Sequence, residues 1–290
     1  LGSRYEGIWK DGRPHGLGKY RWPNGDYREG LWIDGEQNQN SKVIFITSSG
    51  YRHEGEIKNN LPDGRGVRTW TDGSHYQGNW KKGKQDGFGI LTWANGDIGS
   101  GEWKHDALIK GLIVYADGSH KMGEWNDKGE ENGVVISKKA NGDYIETHSK
   151  NGVPYGSSII LLNDGTRFEG ELNWDAVTKY GKNPVNVNSL KKNKIILKAL
   201  YSSKHAIVTR PGGCRYEGAL KDGEPDGYGI GNYGNSRRIE GEFKNGLPHG
   251  HIIEVIDGVR WEGEYLNGSK VEESDKTSNS VSNFLKKLFN

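Results

Sequence analysis

Residues 5–25 read Tyr5-Glu6-Gly7-Ile8-Trp9-Lys10-Asp11-Gly12-Arg13-Pro14-His15-Gly16-Leu17-Gly18-Lys19-Tyr20-Arg21-Trp22-Pro23-Asn24-Gly25. Asp11-Gly12 and Asn24-Gly25 are the dipeptides that tolerate the positive φ of tight turns. Each follows a short strand-forming run, Tyr5 to Lys10 before the first and Lys19 to Trp22 before the second. Strand alternation puts Tyr5, Gly7 and Trp9 on one face and Glu6, Ile8 and Lys10 on the other. The stretch is therefore one β-hairpin with a glycine seated between two aromatic side chains.

The hairpin repeats. Tyr5-Glu6-Gly7-Ile8-Trp9 returns as Arg28-Glu29-Gly30-Leu31-Trp32, His53-Glu54-Gly55-Glu56-Ile57 and Tyr76-Gln77-Gly78-Asn79-Trp80. It returns again around Gly101, Gly123, Glu146, Gly170, Gly218, Gly241 and Gly263, where Glu146 marks a copy that has lost its glycine. Central positions are spaced by 23, 25, 23, 23, 22, 23, 24, 48, 23 and 22 residues. Eleven copies are visible, and the interval of 48 leaves room for a twelfth. A fixed period of this size marks a repeat architecture. A single short hairpin cannot bury a face by itself, so successive hairpins are expected to pair into one elongated, twisted, single-layer antiparallel sheet.

Composition agrees. The chain has 290 residues with 45 glycines, 10 tryptophans, one cysteine and one methionine. Glycine at that level, against a usual ~7%, turns the hairpins and leaves bare backbone on which rings can lie. The glycines do not recur at every third place, which excludes collagen, and 30 aromatic residues are too many for a disordered tail. Forty basic against 38 acidic residues give a net charge of +2, against a surface built to track nucleic acid. The lone Cys214 can form neither an internal disulfide nor a metal cluster.

The pattern Tyr-Glu-Gly-x-Trp-Lys-x-Gly-x-x-His-Gly-x-Gly resembles the MORN (membrane occupation and recognition nexus) repeat. Tyr5, Glu6, Gly7, Trp9, Lys10, Gly12, His15, Gly16 and Gly18 carry the match in the first copy. Tyr76, Gly78, Trp80, Lys81, Gly83, Gly87 and Gly89 carry it in the fourth, and Glu240, Gly241, Glu242, Lys244, Gly246, His249 and Gly250 near the end. The resemblance implies tandem hairpins in a curved sheet with an aromatic-lined groove, and a role in binding rather than catalysis.

The expected layout follows. Residues 1–3 look like a cloning scar, 4–172 hold about eight repeats, and 173–213 a divergent repeat with a long loop. Three more repeats occupy 214–268, then a polar tether 269–278 and a short amphipathic helix 279–290. In the divergent stretch Ile195 to Tyr201 and His205 to Arg210 are expected to pair as a hairpin in the missing slot. In the last, Val281, Phe284, Leu285, Leu288 and Phe289 recur with helical spacing opposite Lys286 and Lys287. That helix could cap the sheet's last edge or meet a partner or an anionic membrane.

No catalytic constellation is apparent: no phosphate loop, no His-Glu-x-x-His, no Gly-x-Ser-x-Gly. The periodic carboxylates form a column opposite the rings, and His15 and His249 fill a repeating structural slot. No cofactor or metal is expected. The favoured reading is a non-catalytic scaffold that grips a peptide or helix of a protein partner. Its groove would be lined by Tyr5, Trp9, Trp32, Trp80, Trp103, Trp125, Phe243 and Tyr265. The alternative is a peripheral module binding phosphoinositides or other anionic lipid. Its contacts would be turn lysines, Lys191, Lys192 and Lys194 of the divergent stretch, and Phe284, Leu285, Lys286, Lys287, Leu288 and Phe289. A third reading is a targeting segment for an enzyme encoded upstream. The divergent repeat and the last helix also offer surfaces for a homodimer. Abundant Asn, Lys and Ile fit an A/T-rich genome. The expected location is the cytoplasm, at a membrane surface, or a host cytosol for a bacterial effector.

Overall fold

The computed structural model describes residues 2–39, 41–171, 204–234 and 236–271, and all their regular structure is antiparallel β. The chain divides into two units, Leu1–Ala140 with Ser149–Gly152 and Asn141–His148 with Val153–Asn290. In the first, β1 (Arg4–Lys10) pairs with β2 (Arg13–Arg21), and β2 with β3 (Tyr27–Ile33). The return strand of β3 is broken into β4 (Glu36–Gln37) and β5 (Val43–Ile46) by the extra residues of that repeat. Then follow β6 (Arg52–Lys58), β7 (Leu61–Thr69), β8 (His75–Lys81), β9 (Lys84–Thr92), β10 (Ile98–Lys104), β11 (Ala107–Val114), β12 (His120–Glu124) and β13 (Gly133–Lys138), each paired with the next.

β14 (Tyr144–Lys150) is divided between the units. The second unit continues with β15 (Val153–Leu161), β16 (Arg167–Glu171), β17 (Ala206–Thr209), β18 (Arg215–Lys221), β19 (Glu224–Tyr233), β20 (Arg237–Lys244), β21 (Leu247–Ile256), β22 (Val259–Leu266) and β23 (Ser269–Lys270). From β15 to β23 each strand pairs with its sequence neighbour.

Two kinds of connection alternate. Lys10 pairs with Arg13 around Asp11-Gly12, whose φ values of 49° and 72° make a type I′ turn. Asn245-Gly246 closes β20 on β21 in the same way. The second connection is longer. Trp22 N donates to Asp26 O at 2.8 Å while Gly25 N donates back to Trp22 O at 3.0 Å. Trp70 with Ser74 and Trp93 with Asp97 repeat it.

A β-bulge follows the central glycine, between Gly7 and Trp9, and recurs at Gly55/Ile57, Gly78/Trp80, Gly218/Leu220 and Gly241/Phe243. Its extra residue bends the strand. The tyrosine two places before the glycine reaches across and donates to the bulged residue's carbonyl: Tyr5 to Ile8, Tyr76 to Asn79 and Tyr216 to Ala219, at 3.2, 3.2 and 3.0 Å. In passing, each ring covers a glycine of the next strand. A Cβ on Gly89 would collide with the Tyr76 hydroxyl, and one on Gly229 with that of Tyr216. The expected seating of rings on glycine is what the coordinates show.

One expectation needs correcting. Ala206–Thr209 pairs directly with Arg167–Gly170 and is the return strand of that repeat. With β16 on one edge and β18 on the other, Ala206–Thr209 has no free edge for the expected pairing of His205–Arg210 with Ile195–Tyr201 as a twelfth hairpin. The interval of 48 is one hairpin with a long insertion between its strands, and β17 goes on to pair with β18. Most of that insertion, residues 172–203, lies outside the described residues, as do the expected tether and helix, 272–290.

Each unit has its own core on the ring-bearing face. In the first, Tyr76, Trp80, Leu91 and Trp103 form a buried cluster flanked by Trp70, Trp93 and Leu108. In the second, Ile160, Phe168, Val208, Tyr216, Leu220, Ile239, Phe243, Ile252 and Tyr265 are buried together with Ala206.

Candidate functional site

The ring-bearing face does not offer what the sequence leads one to expect. Trp80 and Trp103 are each 3% exposed, and Trp32, Trp125, Phe243 and Tyr265 are buried too. The cause is a latch between successive repeats. Trp32 Nε1 donates to Gly18 O, Trp80 Nε1 to Gly66 O and Trp103 Nε1 to Gly89 O, at 3.2, 3.1 and 3.0 Å. Each indole lies over the previous hairpin and stands edge-on to tyrosine, Tyr76 sitting 5.1 Å from Trp80 and 5.5 Å from Trp103. Tyr5 is half-buried, and Trp9 is 55% exposed because β1 pairs only with β2 among the described strands. Six of the eight expected groove anchors are thus packing elements.

Two arginines share this face. Arg28 stacks on Trp22 and Phe45, and Arg68 lies 4.3 Å from the Trp80 ring centre. Burial lowers the pKa of both. Between them His53 fills the tyrosine slot, fully buried, its ring directed at the Glu56 backbone three residues on, as the tyrosines are at theirs. Burial, reinforced by the Arg68 charge, brings its pKa down to about 4.

The opposite face of the first unit is open. Six glycine pairings run unbroken across it: Gly55–Gly66, Gly66–Gly78, Gly78–Gly89, Gly89–Gly101, Gly101–Gly111 and Gly111–Gly123. The bulges bend the strands at this line. A trough of 890 Å³ results over β6–β10, floored by Gly55, Gly66, Gly78, Gly89 and Gly101 and lined by Glu54, Glu56, Arg65, Val67, Phe88 and Ile90 among others. None of the tryptophans lines it.

The residues flanking the glycines decide what this face can bind. On one side the register runs Val67–Gln77–Ile90–Ser100–Leu112–Met122–Ile136 over seven strands, each residue directly opposite the next. Five of the seven are apolar, and Ile90 and Met122 are half exposed, at 50% and 49%. Phe88, 70% exposed, stands on the other side of the glycine line. An apolar row of this length left in water is a mark of an interaction surface.

The carboxylate column stands on this face too, but it is not a field of free negative charge. Arg4 pairs with Glu6 at 3.1 Å, Arg215 with Glu217 at 2.8 Å and Arg238 with Glu240 at 2.6 Å. Arg52–Glu54, Arg167–Glu169 and Arg260–Glu262 repeat the arrangement. The bonds from Lys42 and Arg52 hold the Glu54 carboxyl below its usual range. The signal was present in the sequence, since arginine stands two residues before glutamate in all six copies and i, i+2 neighbours share a strand face.

The remaining candidates are structural. His15 Nδ1 accepts from Asp34 N and His249 Nδ1 from Asn267 N, both at 3.4 Å, tying a hairpin to the next turn. Asp63 and Asp226 fill the same slot and accept from Lys82 N and Asn245 N. Among the described residues no group of three His, Cys, Asp or Glu side chains is placed to hold a metal, and no helix is long and apolar enough to cross a membrane. Lys191, Lys192, Lys194 and 284–289 lie outside the described residues.

Five segments match the family model of the MORN repeat: residues 5–27, 53–75, 76–98, 216–230 and 240–251. Solved structures with some likeness include the SAS-4 (dCPAP) TCP domain of Drosophila melanogaster, in complex with a proline-rich motif of Ana2 (dSTIL). It is 16% identical over 52% of this chain and 82% of that one, with a TM-score of 0.34. The G-box domain of the microcephaly protein CPAP is 14% identical over 80% of this chain and 99% of that one, with a TM-score of 0.28.

Proposed function

We propose that this chain, which carries MORN repeats, is a non-catalytic protein-docking module whose binding surface is the glycine-floored face of the first unit. The observation that supports this most is the partly exposed apolar row from Val67 to Ile136, with Ile90 and Met122 half in water, beside the trough. None of those side chains belongs to the buried cluster of this unit, which the rings on the other face supply. The repeats are the scaffold, and the residues beside the central glycine differ from copy to copy.

The test is site-specific photocrosslinking in the source cells. A benzophenone side chain at position 90 is expected to trap one protein, and the same group in the exposed turn at Asn24 is not. The adduct should vanish when Met122→Asp is added. Equal adducts at both positions, or none at position 90, overturn the assignment of this face.

A further inference from the structure

The apolar row also specifies the shape of what lies on it. Neighbouring strands are ~4.8 Å apart, and one turn of α-helix advances 5.4 Å. A helix laid across the strands therefore brings about one turn over each strand. An extended segment laid the same way repeats its same-face side chains at ~6.8 Å and falls out of step. From Ile90 on β9 to Ile136 on β13 is four strand steps, ~19 Å, or roughly 13 helical residues. Three of the four apolar positions on that path, Leu112, Met122 and Ile136, stand on consecutive strands.

Charge fixes the flank. On the other side of the glycine line the register runs Phe88–Glu102–Lys110–Glu124. Lys110 and Glu124 neutralise each other at 2.8 Å. Glu102 is exposed and stands directly opposite the same Lys110, whose ammonium also feels its charge without closing an ion pair with it, so these three groups leave the row bordered by a net charge of one negative.

We propose that the β9–β13 face binds an amphipathic helix of a protein partner, lying across the strands, its apolar stripe on Ile90, Leu112, Met122 and Ile136 and a lysine or arginine facing Glu102. This rests on the protein-docking reading of the same face and adds the conformation and charge of the bound segment.

Met122 is the chain's one methionine, so methyl-labelled methionine gives a single NMR signal from the middle of the site. The probe is a synthetic 18-residue alanine-based helix with leucines every third or fourth place and lysines along one flank. It is titrated into the full chain. Three further titrations use the same peptide with glutamate for lysine, with two central prolines, and with scrambled order. The lysine helix should shift the Met122 methyl saturably, and the glutamate peptide should bind at least about tenfold more weakly. Glu102→Lys should reverse that preference, and Ile90→Asp, on an exposed side chain that leaves the fold intact by circular dichroism, should abolish both shifts. An unmoved Met122 signal overturns the proposal, as does equal binding of the lysine, glutamate and scrambled peptides. A shift with the proline peptide alone overturns the helix but leaves the docking reading standing. A shift produced by phosphatidylserine vesicles and by no peptide overturns both.

Discussion

The indole of Trp80 donates its one N–H to the carbonyl of Gly66, 3.1 Å away on the hairpin before its own. Gly66 is also a residue whose own Cβ would strike the ring of His53. One glycine thus serves two repeats, giving its carbonyl to the next and its bare face to its own. Cohesion between repeats therefore rests on indole size and on the hydrogen bond together.

Trp103→Ala should cost about 3–5 kcal/mol, the range for emptying a buried aromatic site. Trp9→Ala, on an exposed ring, should stay within about 0.5–1 kcal/mol. Thermal and denaturant unfolding of the two variants, followed side by side, checks the contrast. Equal losses would mean that the latch is not what holds the repeats.

Gly89→Ala should destabilise by about 1–3 kcal/mol through overpacking, since the new methyl meets the Tyr76 ring and hydroxyl. The effect should largely disappear in a Tyr76→Ala background. A double-mutant cycle measures this, and additive losses would place the strain elsewhere.

His53 makes the first unit acid-sensitive. The folded ring has its pKa lowered to about 4 from 6.5, because it is buried beside Arg68. The unfolded ring takes up its proton first, so its contribution is fully present above pH 6.5 and drains away as pH falls from 6.5 towards 4, by about 3 kcal/mol in all. His53→Tyr restores the residue found in that slot at Tyr76 and should flatten this part of the profile. Stability curves of the two proteins should diverge between pH 6.5 and 4 and run parallel above.

Two glutamates on neighbouring repeats should behave oppositely. Glu254 is 2% exposed and accepts from Arg237 Nε at 2.7 Å, Lys270 Nζ at 2.8 Å and Tyr265 Oη at 3.0 Å. Burial pushes its carboxyl up, and those three bonds more than reverse the shift. Glu254→Ala leaves the buried Tyr265 hydroxyl without its acceptor while the partly exposed Arg237 and Lys270 turn to water, and should cost about 1–3 kcal/mol. Glu217, in a partly exposed pair with Arg215, should cost under about 1 kcal/mol and less at high salt.

The strands, their turns and the seating of rings on glycines could be read from residues 5–25 because they depend on local chemistry, on Asp11-Gly12 and on the spacing of Tyr5, Gly7 and Trp9. The repeats around Arg28, Gly101 and Gly123 fall outside the segments matched to the family model, yet they form the same strands with the central glycine kept in register. Burial was not readable in the same way. Trp80 is hidden by contacts to the preceding hairpin, which a single hairpin's alternation does not display. Ile90 and Met122 gave no signal alone, because their alignment exists only once the register of four strands is fixed. The pairing of β16 with β17 was missed for a related reason: strand partners 36 to 42 residues apart look like neighbours only after folding.

That pairing makes the β16–β17 junction a natural place to open the chain. Gly170 faces Ala206 in the ladder, so the register of this hairpin is written in the ladder of β16 and β17 itself. A two-residue Asn-Gly turn could join the strands instead, or new termini could be placed there with the old ones linked elsewhere, and each strand would keep the partner it has now. Foreign sequence would be accepted at the same point, and repeat identity and cargo can diverge there independently.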